Sequence, residues 1–493
     1  MTRTNGSHAP SDHSAEGERL YQEVARGIAQ AIDGGALQPG QKVPSVRRLS
    51  AQKEVSVSTV LQAYRALEND GYIEARPQSG YFVRRRAPAP PEPEAPRESC
   101  AGATDISTGA LVAQVLRSTG DPHLLNLSVA VPGRELLPTR AIERAMSLAL
   151  RCHAGHSASY DMPPGCEALR VEIARRSMES GCALAPDDIL LTSGATEAMN
   201  LCLRAVAGPG DTIALESPTY FGSLQVLESL GLRALELPTH PREGLSLEAL
   251  EHALEHHAIA ACLLMPTLSN PLGSTMPDAR KKQLVEMLWA RQIPLIEDDT
   301  YGDLSFAPAR SRTAKSFDTS GNVLLCSSFS KTLGPGLRVG WVAAGRFRQD
   351  VEWLKMTSSM ATASLPPLAV AEFLRGGGYD HYLRRTRRLY AAQLSSLAAA
   401  VARHFPDGTR LTRPNGGFLL WAELPERVDT LALFFEALGQ GISIAPGRLF
   451  SARDKYGHCL RLSAGLVWND AIERAVQTLG RLAKKQLETK EKP

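Results

Sequence analysis

Cys326-Ser327-Ser328-Phe329-Ser330-Lys331-Thr332-Leu333-Gly334-Pro335-Gly336-Leu337-Arg338-Val339-Gly340-Trp341 is the stretch on which the reading of this 493-residue chain turns. Its lysine is ringed by small hydroxyls and glycines, follows a buried-strand pattern and stands seven residues before an arginine. Burial and nearby cations disfavour the charged form of an amine in such a place, so that part of it is neutral and nucleophilic. Lys331 is therefore expected to capture an aldehyde. The plain alternative is a structural lysine where a strand passes into a turn.

Pyridoxal 5'-phosphate (PLP) is the aldehyde that suits this run, with Ser328, Ser330 and Arg338 placed to hold its phosphate. Outward from it, Thr192-Ser193-Gly194-Ala195-Thr196-Glu197-Ala198 follows the apolar strand Ile189-Leu190-Leu191 and opens a helix, whose free N–H groups would cradle a phosphate. Glu216-Ser217-Pro218-Thr219-Tyr220-Phe221 ends another strand and offers Tyr220 as a plate against a pyridine ring, or simply as core. Met265-Pro266-Thr267-Leu268-Ser269-Asn270-Pro271-Leu272-Gly273 is a turn that would aim the Asn270 amide at the ring oxygen. Pro294-Leu295-Ile296-Glu297-Asp298-Asp299-Thr300-Tyr301-Gly302 sets three acids at the end of an apolar strand. One of them, at the carboxyl edge of a parallel sheet, would keep a pyridine nitrogen protonated; a capped, solvated loop is the alternative.

A hydrophobic content of 43% over this length provides for two or three domains with at least one large core. Fifty-five basic against 52 acidic residues is too even for the total charge to imply nucleic-acid binding, so any such contact needs a local patch. Eight cysteines without a C-x-x-C pair suit a reducing compartment and argue against structural zinc; no metal is expected. Met1 to Gly17 has no apolar signal core, and nowhere do about 20 apolar residues run uninterrupted. The expectation is a soluble, cytoplasmic protein with no membrane partner.

Residues 1–16 read as a disordered tail, having too few apolar groups to order themselves. Ala87-Pro88-Ala89-Pro90-Pro91-Glu92-Pro93-Glu94-Ala95-Pro96-Arg97-Glu98-Ser99 favours extended polyproline geometry, so residues 87–104 are expected to be an unpacked linker. It separates a block at 17–86 from one at 105–487. In the large block helical periodicity alternates with β-branched runs, which predicts an α/β fold with a mostly parallel sheet. No internal repeat occurs, and the charged end from Lys484 on reads as solvated helix.

In the small block Leu20, Val24, Ile28 and Ile32 make an amphipathic helix ending at Gly34-Gly35. A second helix covers Val46 to Gln52 behind Ser45 as a possible N-cap, and a third runs from Ser56 to Gly71. Residues 72–76 and 81–84 around Pro77-Gln78-Ser79-Gly80 form a hairpin. Three helices and a two-stranded wing are a winged helix-turn-helix. Between Glu18 and Arg86 eleven basic residues face seven acidic ones. Arg47, Arg48, Lys53, Arg76, Arg84, Arg85 and Arg86 lie where phosphates could be met, and Ser56, Ser58, Thr59 and Gln62 could reach base edges. A protein-interaction module with a solvated basic face is the alternative.

Leu37-Gln38-Pro39-Gly40-Gln41-Lys42-Val43-Pro44-Ser45-Val46-Arg47-Arg48-Leu49-Ser50, with Val57-Ser58 and Tyr64 in the third helix, resembles the DNA-binding domain of the GntR family. That resemblance implies operator contacts by Pro44, Ser45, Arg47, Arg48, Ser56, Ser58, Thr59, Gln62, Arg76, Gln78, Ser79 and Gly80. It departs from the family in lacking a third-helix arginine near Val57 or Gln62, which shifts base readout toward Arg47, the hydroxyls and Gln62. The large block resembles the fold-type I aminotransferases over residues 120 to 485, with a small C-terminal α+β subdomain at about 375–487. By that resemblance Lys331 carries PLP as an internal aldimine, Asp298 pairs with the pyridine nitrogen, Asn270 and Tyr301 bond the ring oxygen, and Tyr220 stacks. Ala195, Thr196, Ser328, Ser330 and Arg338 would bind phosphate and Arg461 a substrate α-carboxylate. Tyr160, in Ser159-Tyr160-Asp161-Met162-Pro163-Pro164-Gly165, would reach the partner subunit's cofactor, so a homodimer is implied. Thr267-Leu268-Ser269 replaces the usual asparagine-rich turn, and Ser128-Val129-Ala130-Val131-Pro132 lacks a glycine often found near the substrate carboxylate. Together the two blocks resemble the MocR subfamily of GntR transcriptional regulators. The expected function is a PLP-responsive, dimeric regulator of double-stranded DNA answering to a small amine or amino-acid effector. The alternatives are a working aminotransferase that acts on an amino acid, with the winged helix serving autoregulation, and a PLP-storing scaffold.

Overall fold

The computed structural model describes residues 13–489 apart from 70–71, 77–78, 85–88, 97–101, 108, 119–120, 122, 154 and 156–157. It divides into two units, Met1–Ala89 and Pro90–Pro493.

The first unit is the expected winged helix. Helix α1 (His13–Asp33) packs Val24 and Ile28 against α2 (Val46–Lys53) and α3 (Val57–Asn69), with Leu49, Val60, Tyr64 and Leu67 completing the core. Strands β1 (Ile73–Arg76) and β2 (Gly80–Val83) pair antiparallel in the register Ile73 opposite Val83. Residues 13–16 belong to α1, which corrects the reading of 1–16 as a disordered tail; 1–12 lie outside the described residues. The wing also has a further segment alongside it. Gly40 N donates to Val83 O at 2.8 Å, Val83 N to Gln41 O at 2.8 Å and Val43 N to Tyr81 O at 3.0 Å. The left-handed turn at Gly40 (φ 84°), open to glycine at little cost, brings this proline-flanked segment onto β2.

In the second unit the described strands form an eight-stranded sheet in the order Leu190–Thr192, Gly340–Ala343, Val323–Ser328, Leu295–Asp298, Ala261–Leu264, Thr212–Ser217, Arg233–His240, Gly244–Leu245. The five strands from Val323–Ser328 to Arg233–His240 are mutually parallel, and Gly340–Ala343 runs antiparallel to both its neighbours. Four of the parallel strands, from Val323–Ser328 to Thr212–Ser217, are buried on both faces, as strands covered by helices must be. A four-stranded antiparallel sheet, ordered Arg410–Leu411, Leu419–Glu423, Cys459–Ser463, Ala445–Pro446, builds the small subdomain with the helices Gly378–His404, Thr430–Leu438 and Asp470–Thr489. Leu125–Asn126 pairs in parallel with Ile442–Ser443, so the small subdomain draws on chain well before residue 375.

The proline-rich stretch differs from its expectation as an unpacked linker. Proline has no N–H to give, but its carbonyl still accepts. The edge strand supplies the donor, with Leu411 N to Pro91 O at 2.9 Å, and Arg413 Nη2 reaches Pro90 O at 3.3 Å. Glu92 pairs with Arg242 at 2.5 Å and Glu94 with Arg410 at 3.0 Å, and Thr104 bridges Ala234. Residues 90–96 therefore lie on the second unit. The end of the last helix is also engaged: Gln486 Oε1 accepts from Asp429 N at 2.9 Å. Among the described residues no helix is long and apolar enough to cross a membrane, and no group of side chains is arranged to hold a metal ion.

Candidate functional site

The carboxyl ends of the parallel strands carry one cleft. Lys331, just past Val323–Ser328, is partly exposed there and donates from Nζ to Ala130 O at 2.6 Å, with Nζ 5.7 Å from the centre of the Tyr301 ring. Its amine is pushed down to about 8, chiefly by desolvation and then by the charges of Arg461 and Arg338, with Asp298 opposing.

Strand alternation sorts the three acids after Ile296. Glu297 accepts from Ala314 N at 2.8 Å and Lys315 N at 2.9 Å, and Asp299 pairs with Arg310 at 2.5 Å. Asp298, between them, accepts from Thr300 N at 3.0 Å and from the Thr300 hydroxyl, both on Oδ1. Burial raises all three, Glu297 to about 7. Of the three, only Asp298 feels the charge of Lys331 among its principal influences.

The helix Ala195–Val206 opens behind Gly194, whose φ of 91° turns the chain so that the Ala195 and Thr196 N–H groups have no partner in the helix ladder. Arg338 Nη2 donates to Ser193 O at 2.5 Å, and a Cβ on Gly194 would come within 2.5 Å of that same nitrogen. Ser328 and Ser330 are buried beside it, Ser330 N donating to Ser328 Oγ at 3.4 Å. Glu197 closes the turn by accepting from Ser193 N at 2.5 Å and from Lys355 at 2.9 Å.

Arg461 is fully buried on one of the two inner strands of the small sheet, Cys459–Ser463. Nη1 donates to Asn270 Oδ1 at 2.8 Å and Nη2 to the Ser128 carbonyl, while the guanidinium lies 5.0 Å from the Phe450 ring centre. Its Nε is buried without a partner, and among the described residues no carboxylate pairs with it. Dehydration pulls its pKa down to about 10, still leaving it a cation at neutral pH. The Tyr301 hydroxyl is likewise buried with no partner. Tyr220 is partly exposed, 5.0 Å from Phe221, and its hydroxyl is raised by burial against the pull of Arg461. Tyr160 stands apart, 74% exposed.

Sequence reasoning missed the carbonyls of Ser128 and Ala130, which meet Arg461 and Lys331. Their signal was Asn126, whose Oδ1 accepts from Ser128 N at 3.0 Å and Val129 N at 3.2 Å to make the turn. It also passed over Glu216, a buried acid raised to about 7 by desolvation, whose carboxylate accepts from Met265 N.

On the winged helix, Ser45 caps α2 by accepting from Arg48 N at 3.3 Å, and Arg47, Arg48 and Gln62 are exposed. The hydroxyls of Ser56, Ser58 and Thr59 do not simply reach outward as expected. Ser56 Oγ lies 2.7 Å from both of the others and caps α3 by accepting from Thr59 N at 3.1 Å, because a serine before a first turn is drawn to its unpaired N–H groups. The Pro44 carbonyl accepts from the buried Tyr64 hydroxyl at 2.5 Å. Arg76 pairs with Glu74 at 2.8 Å and lies over Phe82 at 4.4 Å. Ser79 and Gly80 are exposed at the wing turn, whereas Gln78, Arg85 and Arg86 lie outside the described residues.

The aminotransferase class I and II family matches residues 122–479, and the gntR family of bacterial regulatory proteins matches residues 20–83. The uncharacterized HTH-type transcriptional regulator YjiR of Escherichia coli is 39% identical over 468 residues, covering 95% of this chain and 99% of that one. The chain belongs to the MocR-like subfamily of GntR regulators. Both halves of this MocR-like chain have relatives. The 2-aminoadipate transaminase of Thermus thermophilus is 31% identical over 78% of the chain and 95% of its own length. The crystal structure of LysN, the α-aminoadipate aminotransferase of Thermus thermophilus in complex with N-(5'-phosphopyridoxyl)-L-leucine, superposes with a TM-score of 0.69 at 28% identity. It covers 78% of this MocR-like chain and all of that one. Membership of this family implies PLP as the cofactor of the second unit.

Proposed function

We propose that this DNA-binding transcriptional regulator works as a homodimer whose second unit holds PLP on Lys331 and senses a small amino compound bearing a carboxylate. The observation that carries this reading is Arg461, a fully buried cation with an orphaned Nε and no acid partner among the described residues, which helps to depress the Lys331 amine. A buried charge without a counter-ion is costly, and it is retained where a ligand supplies the counter-ion.

The residues fit the cofactor. The unpartnered Tyr301 hydroxyl and the Asn270 amide are donors suited to a ring oxygen, and Asp298 is a carboxylate suited to a protonated ring nitrogen. Tyr220 supplies an aromatic face. The Ala195 and Thr196 N–H groups, the Ser328 and Ser330 hydroxyls and Arg338 gather donors suited to a phosphate. When bound, PLP supplies an aldehyde carbon and an electron-withdrawing pyridinium ring. Lys331 contributes an amine already partly neutral near pH 7, held by Ala130 O until it is needed. Arg461, steadied by Asn270 and Ser128, orients a carboxylate in bidentate fashion and fixes which end of an amino acid enters. The exposed Tyr160 is left to meet a second copy of the chain.

A gel-shift titration tests the reading. Adding PLP and then an amino acid should change operator affinity or complex mobility for the wild type and not for Lys331→Ala. Identical responses sink it. A second reading, turnover as an aminotransferase, is favoured by the presence of Lys331, Asp298 and Arg461 in one cleft. It predicts keto acid released in step with loss of the visible absorbance.

A further inference from the structure

Behind the cleft lies a largely buried ionic cluster that no role above uses. Arg310 Nη2 pairs with Asp299 Oδ2 at 2.5 Å and Arg310 Nε with Asp303 Oδ1 at 2.7 Å. Asp303 is a hub: its Oδ2 accepts from Tyr379 Oη at 2.8 Å and its backbone oxygen from Arg387 Nε at 2.7 Å. Tyr379 and Arg387 both belong to the helix Gly378–His404 of the small subdomain, where Arg176 also pairs with Asp380 at 2.8 Å. Asp299 and Asp303 bracket a five-residue turn whose other members include Thr300, the partner of Asp298, and Tyr301. A Cβ at Gly302 inside it would crowd Asp299 Oδ1 and lie 2.6 Å from Arg310 Nη2, so a larger residue there would push the pair aside. Asp299 Oδ1 and Arg310 Nη1 are buried without a partner, and both residues line a polar cavity of about 40 Å³ together with Arg176, Asp303, Ser327 and Ser328.

We propose that Arg310 is a positioning residue that fixes the turn carrying Thr300 and Tyr301, and with it Asp298, and that Asp303 ties this turn to the long helix of the small subdomain. A displacement of that helix then reaches the ring-binding groups through bonds rather than through soft apolar packing. One guanidinium bridging two acids four residues apart is a stiffer brace than two separate surface pairs, because both bonds are largely shielded from water. The inference rests on the PLP reading only for its spectroscopic arm.

The test uses the full-length protein with Arg310→Gln, Arg310→Lys and Tyr379→Phe. With PLP bound, Arg310→Gln should move the pH midpoint of the visible band by about half a unit or more, with Arg310→Lys restoring part of it and Tyr379→Phe moving it less in the same direction. Without PLP, amide exchange in Tyr379→Phe should accelerate together in residues 299–303 and 378–390, a readout that also serves if Arg310→Gln does not fold. An unchanged midpoint in the folded variants, or faster exchange confined to 378–390, overturns the proposal. A wild type with no visible band on adding PLP sinks the cofactor reading, and the exchange arm still decides this one.

Discussion

Both units of this chain present cations for anions, and they do so in opposite ways. On the winged helix Arg47, Arg48 and Arg84 stand exposed. In the second unit Arg461 is entirely buried and Lys331 is strongly desolvated. An exposed cation loses little water on meeting a phosphate, so each contact is worth little, is screened by salt and adds to its neighbours. A buried cation has already lost its water and gains or fails as a whole. One unit is suited to reading a long polyanion by summation, the other to a single small ligand by fit.

Mutations can break that contrast. Lys331→Ala should cost the most, lowering PLP retention by about 100-fold or more with no visible band, because among the described residues no other lysine contacts Tyr301 or Ala130 in the cleft; retention near the wild-type level by equilibrium dialysis would end the cofactor reading. Arg461→Met should weaken the response to a carboxylate-bearing amino compound by about 100-fold, the equivalent of about 3 kcal/mol for a charge-assisted pair. The same variant, unliganded, should melt no lower than the wild type, since it removes a buried charge lacking a counter-ion. A clear drop in Tm would mean that Arg461 is structural.

The pH dependence sharpens the same point. With the Lys331 amine at about 8, its neutral fraction grows about eightfold between pH 7 and 8.5, and the initial rate of PLP uptake should follow and then level off. An ordinary lysine would keep climbing to pH 10. The folded value lies below the ordinary 10.5, so the unliganded fold is penalised below pH 8 and the penalty is relieved as pH rises from 8 to 10.5. Arg47→Ala should act on a smaller scale, weakening operator binding about fivefold and reducing the slope of log affinity against log salt by about 1. Smallest of all, Ser45→Ala should cost the first unit about 0.5–1 kcal/mol by removing the cap on α2, read as a small Tm shift.

The cleft was legible in sequence because its parts sit at strand ends, where a short apolar run announces them: Asp298 after Leu295-Ile296, Ser328 at the end of Val323–Ser328 and Lys331 just past it. Which of three consecutive acids faces the cleft follows from alternation only once the strand is known. Arg310 and Asp303 were not legible, since nothing local distinguishes a buried ion pair from a solvated one when the partners meet through tertiary structure. The segment alongside the wing at residues 40–43 was hidden by its flanking prolines, which look like a loop. The capping role of Ser56 was not legible, because a hydroxyl free to meet a base and one turned back onto its own helix have the same sequence. The stretch 87–104 misled for a different reason: proline excludes donation into a ladder but not acceptance from an edge strand, as Pro91 and Leu411 demonstrate.

That docked stretch changes the arithmetic of the tether. The last described residue of the wing is Arg84, whose N–H meets Tyr72 O at 2.9 Å, and the docked stretch begins at Pro90. Five residues, 85–89, lie between them in the sequence, and five residues fully extended reach no more than about 20 Å. The ion pairs of Glu92 and Glu94 hold residues 90–96 on the second unit, about 20 Å of extended chain that an unpacked linker would leave free.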